Sequence, residues 1–332
     1  MATARRQLGY VSSLTQQAVP AAASLVPTLY EFTTTGTTNW TVPAGVTYVI
    51  ANITGAGAGS NVGATLGGAG GNSSVAFSSG TITANGGSGG TTTNATITGS
   101  GTVQNKAGVR YGEGAWARTY GGSNSTVAHM VANNGAYLRA GGAVTPGNTL
   151  AITVGAGGTA GTNGAAGAQG VVVLEAWAGN ARRCELFTTT GTFNPPAGVT
   201  SVNATLIGGG GGCGAGDWNG GTGGNTTINF SSGTVTATGG FSTDVGRFGF
   251  EEFQYYPTPT NNSGRGGILA FAGTTTRVAS NFRGGDGQIQ VVQRTVSFGS
   301  GLTVTIGAGG SGEAGTFRSA AGSGVAWIEY SV

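Results

Sequence analysis

Acid–base chemistry on a bond needs two carboxylates that converge across it. Glu251 and Glu252 are the only adjacent carboxylates in this chain. Neighbours on an extended strand point to opposite faces, so they make a poor pair. Asp217, Asp244, Asp286 and Glu313 are scattered, and no spacing gathers them. The single histidine, His129, has no nearby Cys or His partner and therefore no metal-ligand spacing. No Ser-His-acid pattern supports nucleophilic hydrolysis. Cys184 and Cys213 are too few for a disulfide scaffold. They read as two partly buried free thiols, with a disulfide as the other option. The segment Gly209-Gly210-Gly211-Gly212-Cys213-Gly214 fits G-x-G-x-x-G and follows a strand. A dinucleotide site also needs a helix opening at the third glycine and an acidic residue about twenty further on. Ala215-Gly216-Asp217-Trp218 is a poor helix start. Arg265-Gly266-Gly267 and Arg283-Gly284-Gly285 read as turns rather than RNA-binding elements. The expectation is a chain with no enzyme activity, no cofactor and no metal.

Composition points the same way. Only 8% of the residues are charged, and Lys106 is the sole lysine. A net charge of +3 spread over so few groups excludes the dense basic stripe that nucleic acid requires. The apolar runs are too short to cross a bilayer, so no membrane insertion is expected. Near the N-terminus, Arg5-Arg6 and Ala21-Ala22-Ala23-Ser24 mimic the ends of a secretion signal. The stretch between them is broken by Ser12-Ser13, Thr15-Gln16-Gln17 and Pro20, so it lacks the continuous apolar run. Of the 332 residues 69 are glycine, with no every-third period, so collagen is excluded. The glycines cluster between segments rich in Val, Ile, Thr and Phe. That pattern predicts folded strands separated by glycine-rich loops.

The strands come in two sets. Phe32-Thr33-Thr34-Thr35-Gly36 recurs as Phe187-Thr188-Thr189-Thr190-Gly191 (187 − 32 = 155). Val42-Pro43-Ala44-Gly45-Val46-Thr47 is matched by Pro195-Pro196-Ala197-Gly198-Val199-Thr200. Residues 80–84 match 233–237, 150–158 match 302–310, and Gly170-Val171 matches Gly324-Val325. Ordered anchors at so long a period mean a duplicated domain, not a solenoid of short repeats. The predicted organisation is an N-terminal arm (1–28), a first domain (29–177), a linker (178–183) and a second domain (184–332).

Residues 48–54 read as a strand with Val49, Ala51 and Ile53 on one face. Residues 74–77 and 81–83 flank a hairpin turn, as do 126–131 and 137–140 around Asn133-Asn134-Gly135. Residues 94–98, 150–154 and 171–177 complete the first set. The second set comprises 201–207, 226–230, 234–237, 288–292, 302–306 and 325–330. Many short strands without a helical period predict an all-β chain of two tandem β-sandwich domains, jelly-roll-like in topology. A short amphipathic helix over residues 5–17 would make the arm an attachment segment; the alternative is a frayed tail. Glycine runs such as 208–212 are costly to order as free loops. They either pack against each other or a neighbouring subunit as polyproline-II-like segments, or remain flexible surface loops.

The order of these pieces resembles the glycine-rich domain of bacteriophage tail fibres and related virion proteins. An aromatic-led Thr/Gly strand, Val-Pro-Ala-Gly-Val-Thr at 42–47, an alternating strand ending in glycines at 208–212, and Val-Gly-Ala-Gly-Gly at 154–158 carry the likeness. The resemblance covers both domains and not the arm. It implies a non-enzymatic virion structural protein, assembled in the bacterial cytoplasm, homo-oligomeric, and often part of an adhesion device. The halves diverge most in their middles, where aromatic and charged residues concentrate at 241–283. Trp116, Tyr120, Phe248, Phe250, Tyr255 and Tyr256 are the candidate contacts to a host-surface glycan, with core or interface packing as the other role. Three functions follow in order: a tail fibre or spike component for host attachment, a capsid or tail decoration protein docked on other virion proteins by its arm, and a polysaccharide depolymerase.

Overall fold

The computed structural model describes residues 27–60, 67–88, 102–106, 116–120, 129–132, 134–161, 164–178, 182–212, 221–241, 287–311 and 322–332. Among them there is no helix. The first half supplies β1 (Thr28–Phe32), β2 (Gly36–Thr41), β3 (Val46–Thr54), β4 (Ser73–Phe77) and β5 (Gly80–Ala84). It continues through β6 (Thr102–Lys106), β7 (Trp116–Tyr120) and β8 (His129–Val131) to β9 (Tyr137–Ala143), β10 (Thr149–Val154) and β11 (Val171–Ala178). The second half supplies β12 (Arg183–Phe187), β13 (Gly191–Phe193), β14 (Ser201–Ile207), β15 (Thr226–Phe230), β16 (Gly233–Ala237), β17 (Ile289–Thr295), β18 (Leu302–Thr305) and β19 (Val325–Tyr330).

Each half builds two four-stranded antiparallel sheets. The orders are β1-β11-β3-β9 and β2-β10-β4-β5 in the first half, then β12-β19-β14-β17 and β13-β18-β15-β16 in the second. With β6–β8 set aside, both halves have eight strands in the same order, and that order is a jelly roll. The strands β6, β7 and β8 form a separate three-stranded sheet inserted between the fifth and sixth jelly-roll strands.

Residues 48–54 form the expected strand, but burial does not alternate along it, because Tyr48 and Ile50 on the opposite face are buried as well. Val49, Ala51 and Ile53 are fully buried and pack in one cluster with Val75, Ile152 and Leu174. The equivalent cluster of the second half gathers Phe193, Leu206, Ile228, Val304 and Ile328. The hairpin at 78–79 is also as expected, with Phe77 paired to Gly80 and Gly80 at φ +136°. The hairpin expected at Asn133-Asn134-Gly135 is corrected. β8 pairs with β7, and β9 pairs with β3, so the two strands lie in different sheets. Gly135 is there for close approach, because a Cβ on it would lie 1.9 Å from the Gly55 carbonyl oxygen. The sheet of β6–β8 was not foreseen. The expected strand at 94–98 and helix at 5–17 lie outside the described residues.

The glycine segments are not free loops. Beyond the strand ends they run alongside one another as extended chains. The Ala56 N–H donates to Gly71 and the Gly59 N–H to Gly68, while Gly57 donates to Ala168 and Ser60 to Ala165. Each neighbour is thus met at every third residue, which is the period of a polyproline-II-type helix. Such a helix makes no internal hydrogen bonds, so its amides are free to bond laterally. The second half repeats the scheme, with Gly209 donating to Gly224, Gly212 to Gly221 and Gly210 to Gly322. Each half is therefore a jelly roll continued by a bundle of glycine helices.

Candidate functional site

Two features position whatever this chain presents. The first is the junction between jelly roll and bundle. Buried Ser73 accepts the Gly155 N–H on its hydroxyl at 3.0 Å. Its counterpart Thr226 accepts the Gly307 N–H at 3.2 Å and donates to the Ile207 carbonyl at 2.7 Å. One residue earlier, the Asn72 side chain accepts the Gly86 N–H, and Asn225 accepts the Gly239 N–H, both at 2.9 Å. The repeated tetrad Gly70-Gly71-Asn72-Ser73 and Gly223-Gly224-Asn225-Thr226 therefore pins two backbone amides in each half. Sequence reasoning missed this tetrad, although it recurs at the spacing of the other anchors. Gly86 and Gly239 follow the fifth jelly-roll strand of each half, just ahead of the long sequence excursion between the fifth and sixth strands.

The second feature joins the halves. Arg139 on β9 donates from Nη2 to Glu175 of β11 at 3.0 Å and to Glu329 of β19 at 2.7 Å. Its Nη1 also donates to Asn52, which accepts from the Tyr137 hydroxyl as well, at 2.7 Å each. Arg182 reaches the other oxygen of Glu329 at 3.2 Å. The Tyr48 hydroxyl donates to the Cys184 carbonyl and accepts the Cys184 N–H, at 3.2 and 3.3 Å. The Arg183 guanidinium lies 4.0 Å above the Tyr48 ring. Trp327, Val325 and Ile207 of the second half join the first half's apolar cluster around this network, with Tyr137 edge-on to Trp327.

Burial pushes the Glu175 carboxyl up, but hydrogen bonding and charge from Arg139 outweigh it and hold the pKa below the usual value. Burial also opposes the charge on Arg139, and the two glutamates more than restore it. Glu175 and Glu329 are thus two carboxylates on one guanidinium. Glu175, held low, is not poised to donate a proton. Burial pushes the Cys184 thiol well up, so it stays a neutral, free thiol.

The sign of the pH dependence follows. A depressed carboxyl contributes stability above its unfolded value of about 4.3 and loses it as pH falls through the lower folded value. Glu175→Gln is expected to cost roughly 1–3 kcal/mol near neutrality. The cost should shrink below about pH 4, where the wild type loses the same interaction. Urea midpoints of both proteins at the two pH values measure this.

The six aromatics expected to touch a glycan are not brought together by any described contact. Trp116 and Tyr120 stand at the two ends of β7. Phe248, Phe250, Tyr255 and Tyr256 lie outside the described residues, as do Glu251, Glu252 and Cys213. His129 begins β8. Among the described residues no group of three or more His, Cys, Asp or Glu could hold a metal. No described helix is long and apolar enough to cross a membrane. An open depression of about 280 Å³ lies at the end of the second jelly roll away from its bundle, lined by Arg182, Thr200, Asn203, Gln293, Glu329 and Ser331 among others. It lacks the apolar walls of a typical ligand pocket.

These observations define a class by architecture: tandem jelly rolls, each extended by a hydrogen-bonded glycine bundle. Comparison of the chain with protein-family models, with curated proteins and with solved structures finds no match.

Proposed function

We propose that this chain is a structural protein of a bacteriophage particle, a tail fibre or spike component that takes part in host-surface attachment. The observation that supports this reading is the shared origin of the two excursions. Both halves fix the same point after the fifth strand with backbone hydrogen bonds and an Asn-Ser/Thr pin, and the sequences that follow it differ between the halves. Recognition residues tend to ride on such segments above a rigid scaffold. The aromatic-rich stretch 247–257 occupies this slot in the second half, and Trp116 and Tyr120 occupy it in the first. Aromatic faces stack on sugars, and Asn, Thr and Arg donate hydrogen bonds to them. A scaffold held by backbone contacts and carrying little charge suits assembly into a particle, with residues 1–28 as the mount to other virion proteins.

The test is removal of residues 247–257 from phage that still assemble. Adsorption to host cells is expected to fall about tenfold or more, as when a central contact cluster is lost. Unchanged adsorption would reject the attachment role and leave decoration, which high copy number on capsid or tail would mark. Shortened capsule chains after incubation with the pure protein would make it a depolymerase instead.

A further inference from the structure

The contact between the two halves joins different surfaces of equivalent domains. In the first half the outer edge is β9, and β12 of the second half lies alongside it. The Cys184 thiol on β12 touches the Arg139 carbonyl on β9, with Sγ 3.7 Å from the oxygen. Among the described residues such a heterologous contact leaves one copy of each surface unused. The unused counterpart of β9 is β17, the edge strand of the second half. The unused counterpart of β12 is β1, the edge strand of the first.

Strand registers fix the equivalent residues. Arg139 pairs with Asn52 on β3, and Val291 pairs with Thr205 on β14, so Val291 stands where Arg139 does. Leu29 pairs with Glu175 on β11, and Cys184 pairs with Glu329 on β19, so Leu29 stands where Cys184 does. Arg139 and Cys184 are buried against each other. Their counterparts Val291 and Leu29 are 70% and 64% exposed, two of the five exposed large apolar side chains among the described residues. The substitution also changes the chemistry in matched fashion, because a charged residue and a thiol are replaced by two aliphatic side chains. What singles them out is that they occupy the two positions that meet in the contact already made between the halves.

We propose that the chain self-associates head to tail: β1 of one copy lies along β17 of the next, with Leu29 against Val291, repeating between chains the contact already made between halves. The occupant is a second copy because the established interface supplies both partners in equivalent form. Ser201 takes the place of Tyr48 at this contact, and Val291 that of Arg139. The joint therefore lacks the ion network and the Tyr48 hydrogen bonds of the internal one. A head-to-tail contact closes into a ring if its rotation allows and otherwise grows as a filament.

The experiment reads mass by sedimentation velocity on the isolated full chain, so it does not depend on the virion reading. The wild type is expected to run as a species larger than one chain. Leu29→Glu and Val291→Glu are both exposed changes that leave each half's core intact, and each alone should weaken association tenfold or more. Mixing the two variants should yield pairs and nothing larger, since one intact surface of each kind remains and the opposing pair of glutamates repels. Phe298→Glu, equally exposed but off both edges, should keep the wild-type mass. A monomeric wild type, variants of unchanged mass, or a mixture that forms no pairs would each overturn the proposal.

Discussion

Alanine at Gly158 is expected to cost more than about 3 kcal/mol, enough to unfold a marginal domain. A methyl group there would lie 2.1 Å from the Gly68 carbonyl oxygen and 2.5 Å from the Gly59 nitrogen. Both neighbours are backbone atoms of adjacent glycine helices, so no rotamer change can make room. The Gly68, Gly59 and Gly158 chains are tied into one bundle, and moving one breaks lateral hydrogen bonds of the others. Gly310 in the second half sits against Gly221 and Gly212 in the same way, at 2.0 and 2.4 Å. The same loss is expected for Gly310→Ala. Gly36 is the informative comparison. Its φ of +107° is strained for alanine, but no atom lies within 4 Å of the added methyl. Gly36→Ala should cost about 1–3 kcal/mol, from backbone strain alone. Denaturant midpoints of the three variants separate crowding from strain. Equal losses at Gly158 and Gly36 would mean that the bundle is not close-packed. Where the bundle has room the chain uses alanine, as at Ala56 and Ala58, both fully buried.

That contrast explains how far the sequence could be read. The duplication and the strand faces were legible because Val49, Ala51 and Ile53 alternate and because the anchors recur in order. The glycine runs were ambiguous because a glycine needed for φ > 0, one needed for contact and one merely tolerated are the same letter. Gly135 shows the cost. Asn-Asn-Gly is a turn signal, yet its neighbours in space, the Gly55 backbone, decide what the glycine does. The excursion slot was visible as divergence between halves, but its pinning by Asn72 and Asn225 was not, since each asparagine acts on an amide 14 residues away. Arg139 was the largest omission. In Tyr137-Leu138-Arg139-Ala140 it occupies the face that alternation gives to solvent. It is only 13% exposed because a second domain covers that face.

Arg139→Met is expected to cost about 3–5 kcal/mol, the penalty for leaving buried carboxylates without their cation. Glu175 and Glu329 would face each other across the domain contact, each 13–16% exposed at the side chain, with Arg182 reaching only one of them. The apolar surround of Trp327, Val325 and Ile207 gives the displaced charge little solvent to turn to. The triple variant Arg139→Met, Glu175→Gln, Glu329→Gln should recover most of the loss, because replacing a whole buried ion group is often neutral. The single and triple variants together therefore separate two roles for Arg139. If the triple variant is as unstable as the single, Arg139 acts by its packing and its bonds to Asn52 rather than by neutralising the glutamates. If the triple recovers, charge compensation is what holds the halves in register. In that case the single variant should also unfold in two calorimetric steps, one per half, because the jelly-roll cores themselves are untouched. The recovered triple variant should unfold in one. A single step in the Arg139→Met protein would show that the Tyr48–Cys184 hydrogen bonds and the Trp327 contact couple the halves without the ions.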